Sequence, residues 1–203
     1  MVVNNLLENI FNKTSNVRVL RTLVDRVVGI SGRETARLSG LNLRSAQIAL
    51  ENLENLKLVN RLVSGRDHIF TLNRENFIVQ NIVNPLFQSE QLFKEKLYSI
   101  IKNSLGKFSD SLILYGSVVR KEDTIGSDFD LCIVYSKDKA KIESLLDELR
   151  IELNNKFGIT LAPFIITKSE FRKRAKLNRI PVTEIIKEGK VLYGISLNKL
   201  QNG

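Results

Sequence analysis

Leu112-Ile113-Leu114-Tyr115-Gly116-Ser117-Val118-Val119-Arg120-Lys121-Glu122-Asp123-Thr124-Ile125-Gly126-Ser127-Asp128-Phe129-Asp130-Leu131-Cys132-Ile133-Val134-Tyr135 holds two apolar runs around a polar spacer. Leu112–Tyr115 and Leu131–Tyr135 read as buried strands. Residues i and i+2 of a strand share a face, so Asp128 and Asp130 project together while Phe129 enters the core. Two converging carboxylates repel unless a proton or a cation lies between them. Hard divalent cations take oxygen ligands and share them with substrate phosphates. Gly116 lets the backbone approach a phosphate, and the amide and hydroxyl of Ser117 can donate to it. Strand, phosphate turn, short helix, then a strand with paired acids describes a metal-nucleotide site. A solvated turn would account for Gly126-Ser127-Asp128. It would not account for Asp130, which stands inside an apolar strand.

At these residues the chain resembles the DNA polymerase β-like nucleotidyltransferase superfamily, whose pattern is Gly-Ser, a spacer of about ten residues, then Asp-x-Asp at a strand start. It is most similar to the minimal nucleotidyltransferases, some of which are antitoxins that add AMP to a partner toxin. Their motif runs Gly-Ser-x-x-Arg-Gly, then Ser-Asp-x-Asp-Leu. Arg120 and Ser127–Leu131 match it, whereas Lys121 stands where Gly is usual. The resemblance covers roughly residues 90–195 and ends in Ile185-Ile186-Lys187-Glu188-Gly189-Lys190-Val191-Leu192-Tyr193-Gly194, a tail also typical of the family. It implies that Asp128 and Asp130 are catalytic and hold Mg²⁺ or Mn²⁺, and that Gly116, Ser117 and Arg120 bind a nucleoside triphosphate, ATP by default. It also implies a protein acceptor, such as a toxin partner, or an RNA.

One departure concerns a third acid, which enzymes of this family carry on a later strand. The candidate strand, Ile159–Ile166, contains neither Asp nor Glu. Glu170 is the nearest acid, but Thr167-Lys168-Ser169-Glu170 reads as a capping box in which Glu170 returns to the Thr167 amide.

Composition sets outer bounds. The 203 residues, 43% hydrophobic, suffice for one domain or two small ones. No apolar run approaches membrane-spanning length, and Met1–Phe11 lacks the features of a signal peptide. A cytoplasmic protein is expected. The single cysteine, Cys132, excludes an internal disulfide and a cysteine zinc cluster. The single histidine, His68, excludes chemistry needing paired histidines.

The net charge of +9 comes from 31 basic and 22 acidic residues. Residues 1–76 hold eleven basic and seven acidic side chains, and nine of the eleven are Arg. Arg gives bidentate recognition of phosphate and guanine, so this third of the chain leans toward nucleic acid. Its pattern agrees. Asn16–Val28 carries a helical apolar stripe. Ser31-Gly32-Arg33-Glu34 opens a short helix through Leu38, and Ser39-Gly40-Leu41-Asn42 is a tight turn. Asn42 caps a helix from Leu43 to Lys57 that buries Leu43, Ala46, Leu50, Leu53 and Leu56. Leu58–Val63 and His68–Leu72 form a hairpin with Arg66 at its tip. Over about residues 4–73 this resembles a winged helix-turn-helix domain. The resemblance implies duplex DNA as partner, with Arg44, Ser45 and Gln47 reading bases. Arg33, Arg37, Arg61 and Arg66 then fall at phosphate contacts and the wing. A protein-docking or dimerisation module is the alternative.

Further on, Asn73–Glu90 reads as a helical connector bent at Asn84-Pro85, followed by a helix over Gln91–Leu105. Lys139–Phe157 reads as a crossover helix. Arg172-Lys173-Arg174 with Lys176 is either a solvated face or a grip on an acidic or nucleic-acid acceptor. Pro181 starts a last helix at its first position. The expected fold class is α+β: a winged helix over 1–75, a connector over 76–90, and a nucleotidyltransferase-fold domain with a mixed sheet over 91–203. Two functions stay open. One is Mg-dependent transfer of a nucleoside monophosphate. The other is a DNA-binding regulator whose inactive second domain senses nucleotide or forms a homodimer.

Overall fold

A computed structural model describes residues 4–64 and 67–202, and Arg66 lies outside the described residues. The chain divides into two compact units, Met1–Leu92 and Phe93–Gly203.

The first unit begins with helices α1 (Leu6–Phe11) and α2 (Thr14–Val24), then strand β1 (Ile30–Ser31) and helices α3 (Gly32–Ser39) and α4 (Leu43–Asn55). Strands β2 (Val59–Ser64) and β3 (Asp67–Leu72) follow, and the antiparallel sheet has the order β1-β3-β2. Ile10, Val19, Leu20, Leu23, Leu50, Leu53, Leu58 and Phe70 share one core. Both N-cap side chains act as expected: the Ser31 hydroxyl accepts from the Glu34 amide, and Asn42 Oδ1 accepts from the Ser45 amide, but the Glu34 carboxylate pairs with Arg37 and does not complete a capping box.

Three expectations need correction here. The stripe over 16–28 overruns its helix, because α2 stops at Val24 and leaves Val27 and Val28 exposed. Arg74 Nη2 donates to the Val24 and Arg26 carbonyls at 2.8 and 3.0 Å, satisfying acceptors that the helix end leaves open. Helix α4 ends at Asn55, since Lys57 takes a left-handed conformation (φ 62°) and Leu58 N returns to Leu53 O. Leu43, at the start of α4, is part-exposed rather than core.

The connector is partly a π-helical turn, Val79–Val83, that runs into helix α5 (Asn84–Leu105). The helical run is unbroken from Phe77 to Leu105, with Pro85 directly behind the π-helical turn, where the chain lacks one N–H donor. The unit boundary falls within α5.

The second unit then continues through β4 (Ser111–Leu114), α6 (Ser117–Arg120), β5 (Phe129–Tyr135), α7 (Lys139–Phe157) and β6 (Leu161–Thr167). It closes with α8 (Lys168–Lys176), α9 (Val182–Glu188), β7 (Lys190–Gly194) and α10 (Leu197–Asn202). The sheet order is β6-β5-β4-β7, with β5 and β6 parallel and the other pairs antiparallel. Helix α7 makes the crossover that a parallel pair requires.

Strand alternation loads both faces of this sheet. Leu112, Leu114, Phe129, Leu131 and Ile133 pack with Leu97, Ile101, Ile142, Leu146 and Leu149 of α5 and α7. Ile113, Cys132, Val134 and Ile166 pack with Phe171, Val182, Ile185 and Leu200 of the last three helices. Burying Phe129 in the first cluster contributes about 2 kcal/mol, which pins the start of β5 between its two acids. Pro181 precedes α9 as its N-cap residue rather than entering its first turn.

Candidate active site and nucleic-acid face

Phe129 is buried, Asp130 half-buried and Asp128 exposed, just ahead of β5. Asp130 lies on the same sheet face as Cys132 and Val134, at the end where β4 turns into α6. Gly116 makes that turn with φ 74°, a conformation L side chains rarely adopt, and a Cβ there would collide with Asp130 Oδ2. The turn backbone and the second acid are therefore in direct apposition. Burial raises the Asp130 carboxyl above the usual carboxylate range, the Asp128 charge adds to this, Arg120 opposes it and Glu184 reinforces it. A cation between the acids would relieve that repulsion.

The same surroundings act on two neighbours. Burial first, then the Asp130 charge, pushes the Tyr115 hydroxyl up to about 12. Burial alone pushes the Cys132 thiol up to about 12, so it stays a neutral core residue.

Ser117 opens α6 directly behind the glycine, and first-turn amides of a helix have no partner inside it. Arg120 is held at two points: Nε donates to Glu122 Oε2 at 2.8 Å and Nη1 to Glu188 Oε1 at 2.5 Å. Glu188 Oε1 also accepts from the Gly116 amide at 3.2 Å. The Gly116 amide is thus already engaged, and the glycine serves the site through close approach instead of as a phosphate donor. Lys121, in the position where Gly is usual, has φ 61° and closes α6 in the left-handed region. The backbone demand that favours Gly is present, and a lysine meets it.

Within the Ile185–Gly194 tail, the sequence alone assigns Glu188 no role. The signal was its place at the end of α9, ahead of a glycine and a strand. That Glu188 meets Gly116 is a tertiary contact between the end of α9 and the start of α6, which composition and spacing do not reveal.

On the β6 side, Ala162 stands in register with Asp130. Among the described residues, no group of three or more His, Cys, Asp or Glu side chains is arranged to hold a metal ion. The Thr167 hydroxyl accepts from the Glu170 amide at 3.2 Å, as a cap should. The Glu170 carboxylate does not complete the box: it accepts from Arg174 Nε at 2.9 Å, one turn on. That hydrogen bond lowers the Glu170 carboxyl below its ordinary value.

Residues 94–191 match the nucleotidyltransferase domain family. The match spans the Gly116–Ser117 turn, both acids and Glu188. Ten solved chains also match in structure. One is a crystal structure of a toxin-antitoxin with AMP-PNP, 15% identical, with a TM-score of 0.36, covering 51% of this chain and 80% of that one. Another is a mutant of the toxin-antitoxin MntA-HpeT, 14% identical, with a TM-score of 0.35, covering 53% and 79%. No curated protein gives a significant match.

In the first unit, Arg33, Arg37, Arg44, Gln47 and Arg61 are exposed and Ser45 is half-buried. Arg33, Gln47, Glu51, Glu54, Arg61 and His68 are among the residues lining a cleft of about 590 Å³ between the helices and the sheet. Two of the arginines are internally paired: Arg37 with Glu34 at 2.5 Å and Arg61 with Glu54 at 3.1 Å. Among the described residues, no helix is long and apolar enough to cross a membrane.

Proposed function

We propose that the second unit transfers a nucleoside monophosphate from a nucleoside triphosphate, ATP by default, to an acceptor hydroxyl on a protein or RNA. One observation carries this: the left-handed Gly116 turn is pressed against Asp130, so a polyphosphate on the turn would lie beside the paired acids. The donor set fits Mg²⁺ or Mn²⁺, because Asp128 and Asp130 offer hard oxygen ligands and the half-buried Asp130 gains from charge neutralisation. The metal, when bound, supplies positive charge to the triphosphate oxygens. The Ser117 amide and hydroxyl donate to those oxygens, and the N–H groups of Arg120 not taken by Glu122 and Glu188 face the same charge. The acceptor oxygen attacks the α-phosphorus, the bond to the bridging oxygen breaks, and pyrophosphate leaves. The acceptor proton passes to solvent, since β6 presents no carboxylate to take it.

The first unit is a winged helix in this reading. Arg44, Ser45 and Gln47 on the front of α4 meet base edges, while Arg33 with Arg37, Arg61 and Arg66 meets phosphates. Binding of duplex DNA should then fall steeply with salt, and Arg44→Ala should lose sequence preference while Arg33→Ala weakens all duplexes alike. Mobility shifts over a salt series read both effects, and no shift of any duplex at low salt would leave a docking module.

A second reading is favoured by Ala162 opposite Asp130. Here the domain binds Mg-nucleotide without turnover, and the protein is a nucleotide-sensing regulator, with homodimerisation a further option. Label from α-labelled nucleotides, offered singly with Mg²⁺ or Mn²⁺ and cell lysate, separates the two. Transfer should be retained by the wild type and fall at least about a hundredfold in D128N/D130N. Absent transfer with intact nucleotide binding selects the regulator.

A further inference from the structure

Strand β7 is not paired with β4 in a single register. Ser111 and Leu112 face Gly194 and Tyr193, whereas Ile113 and Leu114 face Val191 and Lys190. Leu192 is the extra residue of a β-bulge. Bulges of this kind re-aim the side chains beyond them. Beyond the ends of that ladder, Gly116 caps α6 and Glu188 closes α9, and the Glu188 side chain reaches the Gly116 amide.

The junction that follows is tightly held. Gly189 ends α9 with its amide on Ile185 O at 2.8 Å. A Cβ there would collide with that same carbonyl oxygen and lie 2.9 Å from Ile113 Cγ2. Only a glycine allows α9 to close this near to β4. Glu188 is thereby delivered to the turn with 21% of its side chain exposed. Its Oε1 bridges the Gly116 amide and Arg120 Nη1. One oxygen atom therefore ties together the two ends of the Gly116–Arg120 segment, with Ser117 between them.

We infer that Glu188 is a positioning residue for nucleotide binding: it fixes the Gly116 turn against Asp130 and orients the Arg120 guanidinium toward the triphosphate. This rests on the reading of the second unit as a nucleotide site. Glu188 touches neither phosphate nor metal. It holds the peptide that Ser117 extends from, and it leaves the outer N–H groups of the Arg120 fork free to donate. A side chain that loses this anchor lets the Ser117 donors and Arg120 move relative to Asp130. Displacements of about 1 Å at such sites cost up to ~100-fold.

The experiment is equilibrium binding of ATP in Mg²⁺ to the full chain, for the wild type, Glu188→Ala, Glu188→Gln and D128N/D130N, with melting temperatures beside it. Glu188→Ala should weaken ATP about tenfold or more. Glu188→Gln, whose amide oxygen still accepts from the Gly116 N–H, should recover most of the loss. A purely structural role would lower both melting temperatures while leaving ATP affinity unchanged, and that result overturns the inference. Tighter binding in both variants also overturns it, because Glu188 would then be an anion that competes with phosphate for the turn. Should Glu188→Ala not fold, the near-isosteric Glu188→Gln with Glu188→Asp carries the comparison: Asp, one methylene shorter, should bind worse than Gln, and equal affinities refute positioning. Wild type that binds no ATP removes the nucleotide-site reading itself, and the inference with it. Binding by wild type that D128N/D130N abolishes keeps that reading and isolates the question of Glu188.

Discussion

Strands β6 and β7 flank the same central pair, β5 and β4, yet they treat the site in opposite ways. On the β6 side, the residue in register with Asp130 is Ala162. On the β7 side, Glu188 at the end of α9 accepts from the Gly116 amide and the Arg120 guanidinium together. One flank contributes no charge and the other contributes an anchored carboxylate. The lesson is that sheet neighbours of a site are not equivalent. A parallel neighbour places residues on the shared face beside the acids, whereas the strand across the turn reaches the turn itself.

The comparison can be sharpened from the β6 side. If that flank limits turnover, Ala162→Asp should raise label transfer by roughly tenfold, because it adds a third carboxylate on the face of Asp130. Rates of labelling with Mn²⁺ compare the variants directly, and an unchanged rate would mean that the empty flank is not what limits the reaction. A smaller effect is expected in stability. Asp130 has a folded-state pKa raised above its unfolded value, so its ionisation works against the fold. The penalty is absent below the unfolded pKa and grows as pH rises through the raised one. Asp130→Asn should therefore melt about 2 °C higher than wild type at neutral pH, with the gap closing in acid. A melting series between acid and neutral pH reads the sign, and a lower melting temperature at neutral pH would refute the penalty that burial and the Asp128 charge place on the Asp130 carboxylate.

The central pair was legible from its residue order. An acid inside an otherwise apolar strand, Asp130, and a glycine at the end of another, Gly116, are local signals whose meaning survives any tertiary arrangement. The caps of α3 and α4 were legible for the same reason, since Ser31 and Asn42 act on amides three residues away. Elements whose ends depend on distant partners were not. Helix α2 stops where Arg74, fifty residues on, takes its carbonyls. Glu170 turned to Arg174 because an ion pair one turn along competes with the box. The Glu188 contact was not legible because it joins two helix ends 72 residues apart in the chain.

The contact of Glu188 with the Gly116 turn also predicts where the chain tolerates changes of length. The segment from Lys121 to Gly126 is exposed throughout, so insertions there would lengthen a loop and leave both acids where they are. Residues 191–193 have no such freedom. They pair with Leu112 and Ile113 only a few residues after Glu188, so an inserted residue there would draw the Glu188 carboxylate off the Gly116 amide. Among relatives of this chain, the stretch before Asp128 should vary in length and the start of β7 should not.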